Sequence, residues 1–364
     1  MPRRAKRSHR EPPVPGPRSS TRLRKQLITL IVAAVGVVLF WLADMPLPFL
    51  LGPLFACLAA AMVGATLADS GQVGVMMRTV LGVAVGSSIT PDLLTRLPGM
   101  AYSVALVPLF VLIIGLIGYP FFRRVCGFDG PTSYYAAMPG GFQDMVIFGQ
   151  EAGADIRALS LIHATRVLLI VTLVPFLMTS IYGQPLTNAP GAALAEIPAR
   201  ELLLMAVAAL VGWKGGERIG LFGASIIGPL VLAAAFSLLG LIEHRPPALA
   251  ILAAQFFIGA SIGAKYTGVS WRELRVDVLA GAAFCVLLGV VATIFAEAVA
   301  LAGFAPAVEA LLSFAPGGQA EMAMLTIIAG ADLAFVVTHH IARIVVVIAG
   351  APIVAHFLKW KDRE

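Results

Sequence analysis

Charge is scarce in this chain. Asp, Glu, Lys and Arg are 13% of its 364 residues, where a soluble domain carries about 25%. That shortage excludes an ordinary soluble enzyme and a soluble DNA-binding module. Cysteine is nearly absent too. Cys57, Cys126 and Cys285 are odd in number and far apart, so neither a disulfide framework nor a zinc site is expected; they read as packing residues. The six histidines form no ligand cluster in the sequence, and His339 and His340 are adjacent, which points them about 100° apart on a helix. A phosphate-binding glycine loop and a serine-nucleophile motif are both missing. The chain is therefore not read as an enzyme, and no catalytic residue, metal or organic cofactor is expected.

What is present is apolar. Hydrophobic types are 59% of the chain and the mean hydropathy is +0.90. The fold class this implies is an all-α polytopic membrane protein. About 20 apolar residues cross a bilayer core. Candidate spans lie near 27–45, 48–67, 73–90, 99–122 and 156–180, then 201–213, 219–242, 248–264, 276–302 and 333–358. The apolar stretches 131–152 and 309–330 each hold a Pro-Gly-Gly and a carboxylate, poor features for a lipid-facing span. Residues 1–26 carry nine Lys or Arg and five Pro with no apolar periodicity, which reads as a basic disordered tail. The tail fits a cytoplasmic N-terminus under the positive-inside rule. The apolar run at 27–43 follows a basic region too long for a typical signal peptide and has no small-x-small cleavage site between it and the next span, so it reads as a span.

The chain repeats itself. Residues 139–175 align without a gap on 316–352, with 11 identities in 37 positions, where composition alone gives roughly three or four. Pro139-Gly140-Gly141 meets Pro316-Gly317-Gly318, and Asp144 meets Glu321. Asp155 meets Asp332, His163 meets His340, Arg166 meets Arg343 and Pro175 meets Pro352. Upstream, Gly52-Pro53 pairs with Gly228-Pro229, and Gly82, Gly86 and Thr90 pair with Gly259, Gly263 and Thr267. Such self-similarity marks a duplication. The resulting division is a tail at 1–26, a membrane repeat at 27–182, an external loop at 183–200, a second repeat at 201–358 and a tail at 359–364.

Loop charge bears on the orientation of the halves. If 131–152 and 309–330 are re-entrant, each half has five spans and the second half is inverted. Cytoplasmic loops and the C-terminal tail then hold Arg123, Arg124, Lys214, Arg218, Lys265, Arg272, Arg275, Lys359, Lys361 and Arg363, against Arg96, Arg200 and Arg245 outside. Six spans per half would split such charges evenly. The positive-inside rule favours the inverted reading, with both termini cytoplasmic. Inverted repeats are common in secondary transporters.

Several groups could carry chemistry. Proline and glycine break a helix, and at membrane depth a break must be buried in protein or line a cavity. A helix restarting at Gly141 or Gly318 would aim free N–H groups at the break, where an anion is stabilised; the competing reading is a tight turn at the membrane boundary. Asp144 and Glu321 fall in the first turn of the restarted helices. They either compensate the helix dipole or bind a coupling sodium ion or proton. Asp155 and Asp332 are expected as N-caps of the helices that follow. His163 with Arg166, and His340 with Arg343, share a helical face at a spacing of three. The arginines need a partner, and Asp144 and Glu321, or Asp155 and Asp332, are the expected ones. They form a structural ion pair or touch an anionic solute. The histidines relay protons or are satisfied core residues. Gly82, Gly86, Gly259 and Gly263 allow close helix packing, or mark an unwound segment lined by Thr90, Thr267 and Gln255.

The repeated Pro-Gly-Gly-x-x-(Asp/Glu)-Met, Gly-Ala-Asp and His-x-x-Arg pattern resembles the AbrB-like integral membrane proteins, a family defined by an internal duplication. The likeness covers roughly residues 27–358, and the second copy is the closer match. The resemblance implies a bacterial inner-membrane protein of the kind labelled a regulator of gene expression or an ammonia monooxygenase. The residues support neither chemistry. They point to a secondary transporter of a small polar or anionic solute coupled to protons or sodium, with a membrane-bound regulator or sensor as the alternative and a monooxygenase after that. Site residues on this reading are Pro139, Gly140, Gly141, Asp144, His163, Arg166, Pro316, Gly317, Gly318, Glu321, His340 and Arg343. The partners expected are the lipid bilayer and the solute, with a homo-oligomer left open and no nucleic acid.

Overall fold

The computed structural model describes residues 19–186, 188–221 and 223–357. The basic residues before Ser19 and the C-terminal Lys359, Lys361 and Arg363 lie outside the described residues. The described chain is helical, with no strand and one isolated bridge between Ala192 and Pro247. The first half contains α1 (Ser19–Leu42), α2 (Pro48–Met62), α3 (Gln72–Gly86), α4 (Pro91–Pro120), α5 (Gly130–Ala137), α6 (Phe142–Glu151) and α7 (Ile156–Ser180). The second contains α8 (Ala199–Arg218), α9 (Ala224–Leu238), α10 (Ala248–Ala264), α11 (Trp271–Glu273), α12 (Leu279–Leu301), α13 (Ala307–Phe314), α14 (Gln319–Ala329) and α15 (Leu333–Phe357). A π-helical turn at Leu274–Val278 joins α11 to α12.

Five helices are long and apolar enough to cross a bilayer: Arg22–Leu42, Pro98–Val125, Ile156–Ser180, Trp271–Leu301 and Leu333–Ala355. Helices α2, α3 and α9 are 15 residues and α10 is 17. At 1.5 Å per residue they reach about 22–26 Å, so the spans expected at 48–67, 73–90 and 219–242 are shortened. The tail boundary is also corrected. Helix α1 begins at Ser19, so Arg22, Arg24 and Lys25 are helical. Gln26 Nε2 donates to the Asp69 carbonyl at 2.9 Å, and Ala68 N donates to Thr29 Oγ1 at 3.0 Å. These bonds anchor that end of α1 to the loop after α2.

Local sequence sets the long-helix starts. Asp155 accepts from the N–H groups of Arg157 and Ala158, and Asp332 from those of Ala334 and Phe335. Both are the expected N-caps. Gly153 and Gly330, with φ of 83° and 68°, turn the chain ahead of each cap, a conformation that favours glycine.

The two stretches around Pro-Gly-Gly are helical hairpins. Asp155 N donates to Thr132 Oγ1 at 2.8 Å, and Asp332 N lies 3.3 Å from Glu309 Oε1. The end of each hairpin is thus bonded to its own beginning, and the chain returns to the level it left. The hairpins sit at opposite ends of α7. The first has its base at the α7 N-terminus, where Arg157 also reaches the Gly268 carbonyl and Glu273. The second has its base near the other end, where Gln184 Nε2 donates to the Ala329 carbonyl at 2.6 Å and Asn188 to that of Ile328 at 3.1 Å. The 25 residues of α7 separate these ends by about 37 Å.

The helices sort into two bodies, each drawn from both halves. Helices α1–α3 pack with α8–α10, and α4–α7 pack with α11–α15, with thin contact between the groups. The first body is joined through reciprocal glycine contacts. A side chain at Gly82 or Gly86 would strike the backbone of Ile226 or Leu230, and one at Gly259 or Gly263 that of Leu50 or Leu54. These glycines lie in continuous helices α3 and α10. Close packing is therefore the reading that holds, and the unwound segment is corrected.

Candidate functional site

A half-helix that stops inside the protein leaves carbonyls with no helical partner. Helices α5 and α13 stop in this way before each Pro-Gly-Gly, and an arginine meets the exposed ends. Arg166 donates from Nη1 to the Met138 carbonyl at 3.2 Å and from Nη2 to that of Gly140 at 2.7 Å. Arg343 donates to the carbonyls of Ala315 and Gly317, both at 2.8 Å. Both arginines are buried, and each sits where the half-helix dipole is negative. The carboxylates expected as partners are corrected to backbone carbonyls. The fork of a guanidinium fits two carbonyls that diverge around a break. Asp155 lies 11 residues from Arg166, about 16 Å along the helix, and is occupied by its cap.

The histidines secure the same breaks one turn earlier. His163 Nε2 donates to the Tyr135 carbonyl at 3.0 Å, and His340 Nε2 to that of Leu312 at 2.9 Å. Arg343 Nη2 also lies 2.9 Å from His340 Nδ1. That nitrogen accepts from the guanidinium while Nε2 carries the proton, as in a neutral ring. Both rings are fully enclosed and bolt the hairpins to α7 and α15.

The tips cross between the halves. A side chain at Gly140 would press on Val347 of α15, and one at Gly317 on Ile170 of α7. Both restarted helices therefore begin near the middle of the molecule. They open on one cavity of about 160 Å³, walled by Gly141, Phe142 and Asp144 of the first hairpin and by Gly318, Gln319 and Glu321 of the second. The first body closes it with Gly74 and Arg78 of α3, the start of α9, and one side of α10 down to Lys265. Arg166 adds a cation from α7.

Of the residues expected from the sequence, Gly141, Asp144, Arg166, Gly318 and Glu321 meet at this cavity. Pro139, Gly140, Pro316, Gly317, His163, His340 and Arg343 stand behind it and shape the breaks. Thr90, Thr267 and Gln255 are not in the wall. The carboxylates of Asp144 and Glu321 fold back over Gly141 and Gly318, in the space a side chain there would take. They stay close to the helix N-termini whose dipoles they offset.

Two cations were missed. Arg78 lies inside the apolar run expected as a span, and an ionisable residue there is a site hypothesis by default; that mark was available and unused. Lys265, counted above as a cytoplasmic loop charge, is corrected to a wall residue whose Nζ stands 3.1 Å from the centroid of the Phe142 ring. Neither has a counterpart in the other half, where Gln255 and Ser88 occupy the equivalent positions. Among the described residues, no three of His, Cys, Asp and Glu converge as a metal site requires.

Known proteins give this arrangement a context. The model of a family described as "Transition state regulatory protein AbrB" matches residues 49–359, so α1 lies outside the match. The chain is 26% identical over 355 residues to YhjN of Bacillus subtilis (strain 168), covering 91% of this chain and 92% of the relative. It is 24% identical over 333 residues to a protein of Escherichia coli (strain K12) that carries the name of an AbrB regulator, covering 88% and 92%.

Proposed function

The chain belongs to the AbrB family, and from that premise we propose that it is a secondary transporter of a small polar or anionic solute, driven by protons or sodium. The observation that carries this reading is a cavity between the two bodies, walled by both broken hairpins. Transporters place their sites where discontinuous helices meet at a repeat interface, and expose them by rocking one bundle against the other. Here the glycine-joined body of α1–α3 and α8–α10 is the frame, and the hairpin body moves against it. The thin contact between them allows the cavity to open first to one side and then to the other. Asp144 and Glu321 hold the coupling ion, Arg166 balances charge, and the histidines hold the breaks in shape. Hairpins based at opposite ends of α7 support inverted repeats; the loop charges support cytoplasmic termini, and a bacterial inner membrane remains what the family resemblance implies.

Cysteine reporters at Gln184 and Gly268 test the architecture. They should label from opposite sides of the membrane, and labelling from one side overturns the five-plus-five arrangement. Thermal stabilisation of the detergent-purified chain by organic acids, amino acids and inorganic anions, at two pH values and with or without sodium, tests the site. Binding to the folded state raises its melting point. The dependence on sodium or pH should disappear in the Asp144→Asn/Glu321→Gln double variant. The regulator reading is favoured only by the wording of the family description and of one relative's name. It predicts the reverse: deletion of residues 1–20 abolishes the cellular phenotype and the double variant does little.

A further inference from the structure

We propose that the solute is a small monocarboxylate with an apolar body, about seven heavy atoms in all. This rests on the transporter reading of the same cavity and names what it carries.

The first observation is charge. Three cations in the wall, Arg78, Lys265 and Arg166, face two carboxylates, Asp144 and Glu321. Asp69 lies behind the wall, where its carboxylate accepts from Ser261 Oγ at 2.6 Å. Within the wall itself the surplus is one positive charge. An unbalanced charge is costly where solvent is scarce, and an anionic solute offsets it.

The second observation is a set of donors without acceptors. Among the described residues, the side chains of Arg78 and Lys265 make no hydrogen bond or ion pair. Gln319, 9% exposed, has an unpartnered Nε2, and Arg166, 4% exposed, an unpartnered Nε. Gln319 is also the first residue of α14, so its free amide stands at a helix N-terminus, itself a place for an anion. A carboxylate accepts at two oxygens from several donors at once.

The third observation is the grading of the wall along α10. Lys265 stands at one end and Phe257 at the other, with Ile258, Ser261 and Ile262 between them. Eight residues of helix are about 12 Å. Ile226 and Ile227 of α9 continue the apolar side. A second carboxylate would be buried there, and a bare inorganic anion would leave that side unfilled. A cavity of about 150 Å³ holds a benzene-sized body, which sets the size.

Calorimetric titration of the detergent-purified chain with acetate, propionate, butyrate, valerate, hexanoate and octanoate tests the proposal, beside succinate, phosphate and the neutral valeramide. Affinity should rise about fourfold for each methylene up to valerate or hexanoate, then fall at octanoate. Valeramide should bind at least tenfold more weakly than valerate. Lys265→Gln and Arg78→Gln should each weaken valerate at least tenfold while keeping the methylene increment. A flat chain-length series, tighter binding of succinate or phosphate, or no binding by any acid to monodisperse protein overturns it; these wild-type results decide even if a variant fails to fold. Proteoliposome flux separates this failure from that of the parent reading. Succinate or phosphate moved by a sodium or proton gradient removes the substrate class and leaves the transporter. Graded binding with no acid or anion moved under either gradient keeps the monocarboxylate site and removes transport.

Discussion

Replacing Arg343 by lysine keeps the charge and removes the fork. A lysine ammonium is a compact point charge, so it can hold one of the two carbonyls, Ala315 or Gly317, but lacks the reach to keep both with the contact to His340. A hydrogen bond to a charged group contributes about 1.5–3 kcal/mol, and Arg343→Lys should lose about that much stability. Arg343→Met removes all three contacts. Three such bonds would sum to about 4.5–9 kcal/mol, but the substitution also relieves the burial of a cation, so the expected loss is about 3–5 kcal/mol. Denaturant or thermal unfolding in one detergent reads the series, and hydrogen exchange over 307–330 should locate the loss in the second hairpin. Arg166→Lys should lose a similar amount, because Arg166 bonds the equivalent carbonyls of the first hairpin. Ligand binding separates the two residues. Arg166 lines the cavity and Arg343 does not, so only Arg166→Lys should weaken the solute beyond its effect on stability. An Arg343→Lys protein as stable as the wild type, or one that loses solute as strongly as Arg166→Lys, would refute the reasoning.

The frame offers another test. A side chain at Gly263 would collide with the Leu54 carbonyl and stand 2.7 Å from Cys57 Cβ. Gly263→Val should destabilise by about 1–3 kcal/mol or more through overpacking, read as a fall in the monodisperse fraction on gel filtration, while Gly289→Val, with nothing within 4 Å of its new Cβ, should match the wild type. Asp332→Ala removes the acceptor for two N–H groups of α15 and should cost about 0.5–2 kcal/mol, with faster hydrogen exchange confined to the first turn of that helix; Asp332→Asn should retain most of the cap.

Much of the site could be read from the duplication. Pro-Gly-Gly, the first-turn carboxylates, the capping aspartates and the buried His-x-x-Arg pairs recur at one spacing, so each copy vouched for the other. The partners of the arginines could not be read this way. Sequence displays carboxylates but not the carbonyls that a broken helix leaves bare, and here the carbonyls outcompete them. Arg78 and Lys265 were missed for a related reason. They occur in one half only, so the repeat did not mark them, and Lys265 just past the end of an apolar run looks like any loop cation. With Lys265 moved to the wall, the inverted reading counts nine cations in its cytoplasmic loops and tail against three in its external ones, so the charge bias that favours it keeps its sign.

Composition, hydropathy and self-similarity determined by themselves that this is a helical membrane protein in two related halves with a break in each. Those properties are local or periodic along the chain: a run of apolar residues has no stable place in water, and Pro-Gly-Gly interrupts any helix it joins. Tertiary structure alone decided that the halves divide into two bodies, and that both breaks open on one cavity. It also decided that the cations there outnumber the carboxylates. Helices of similar hydropathy are told apart only by which glycines let which backbones touch, and that matching of surfaces operates between segments 144 to 209 residues apart, where a linear pattern carries no trace of it.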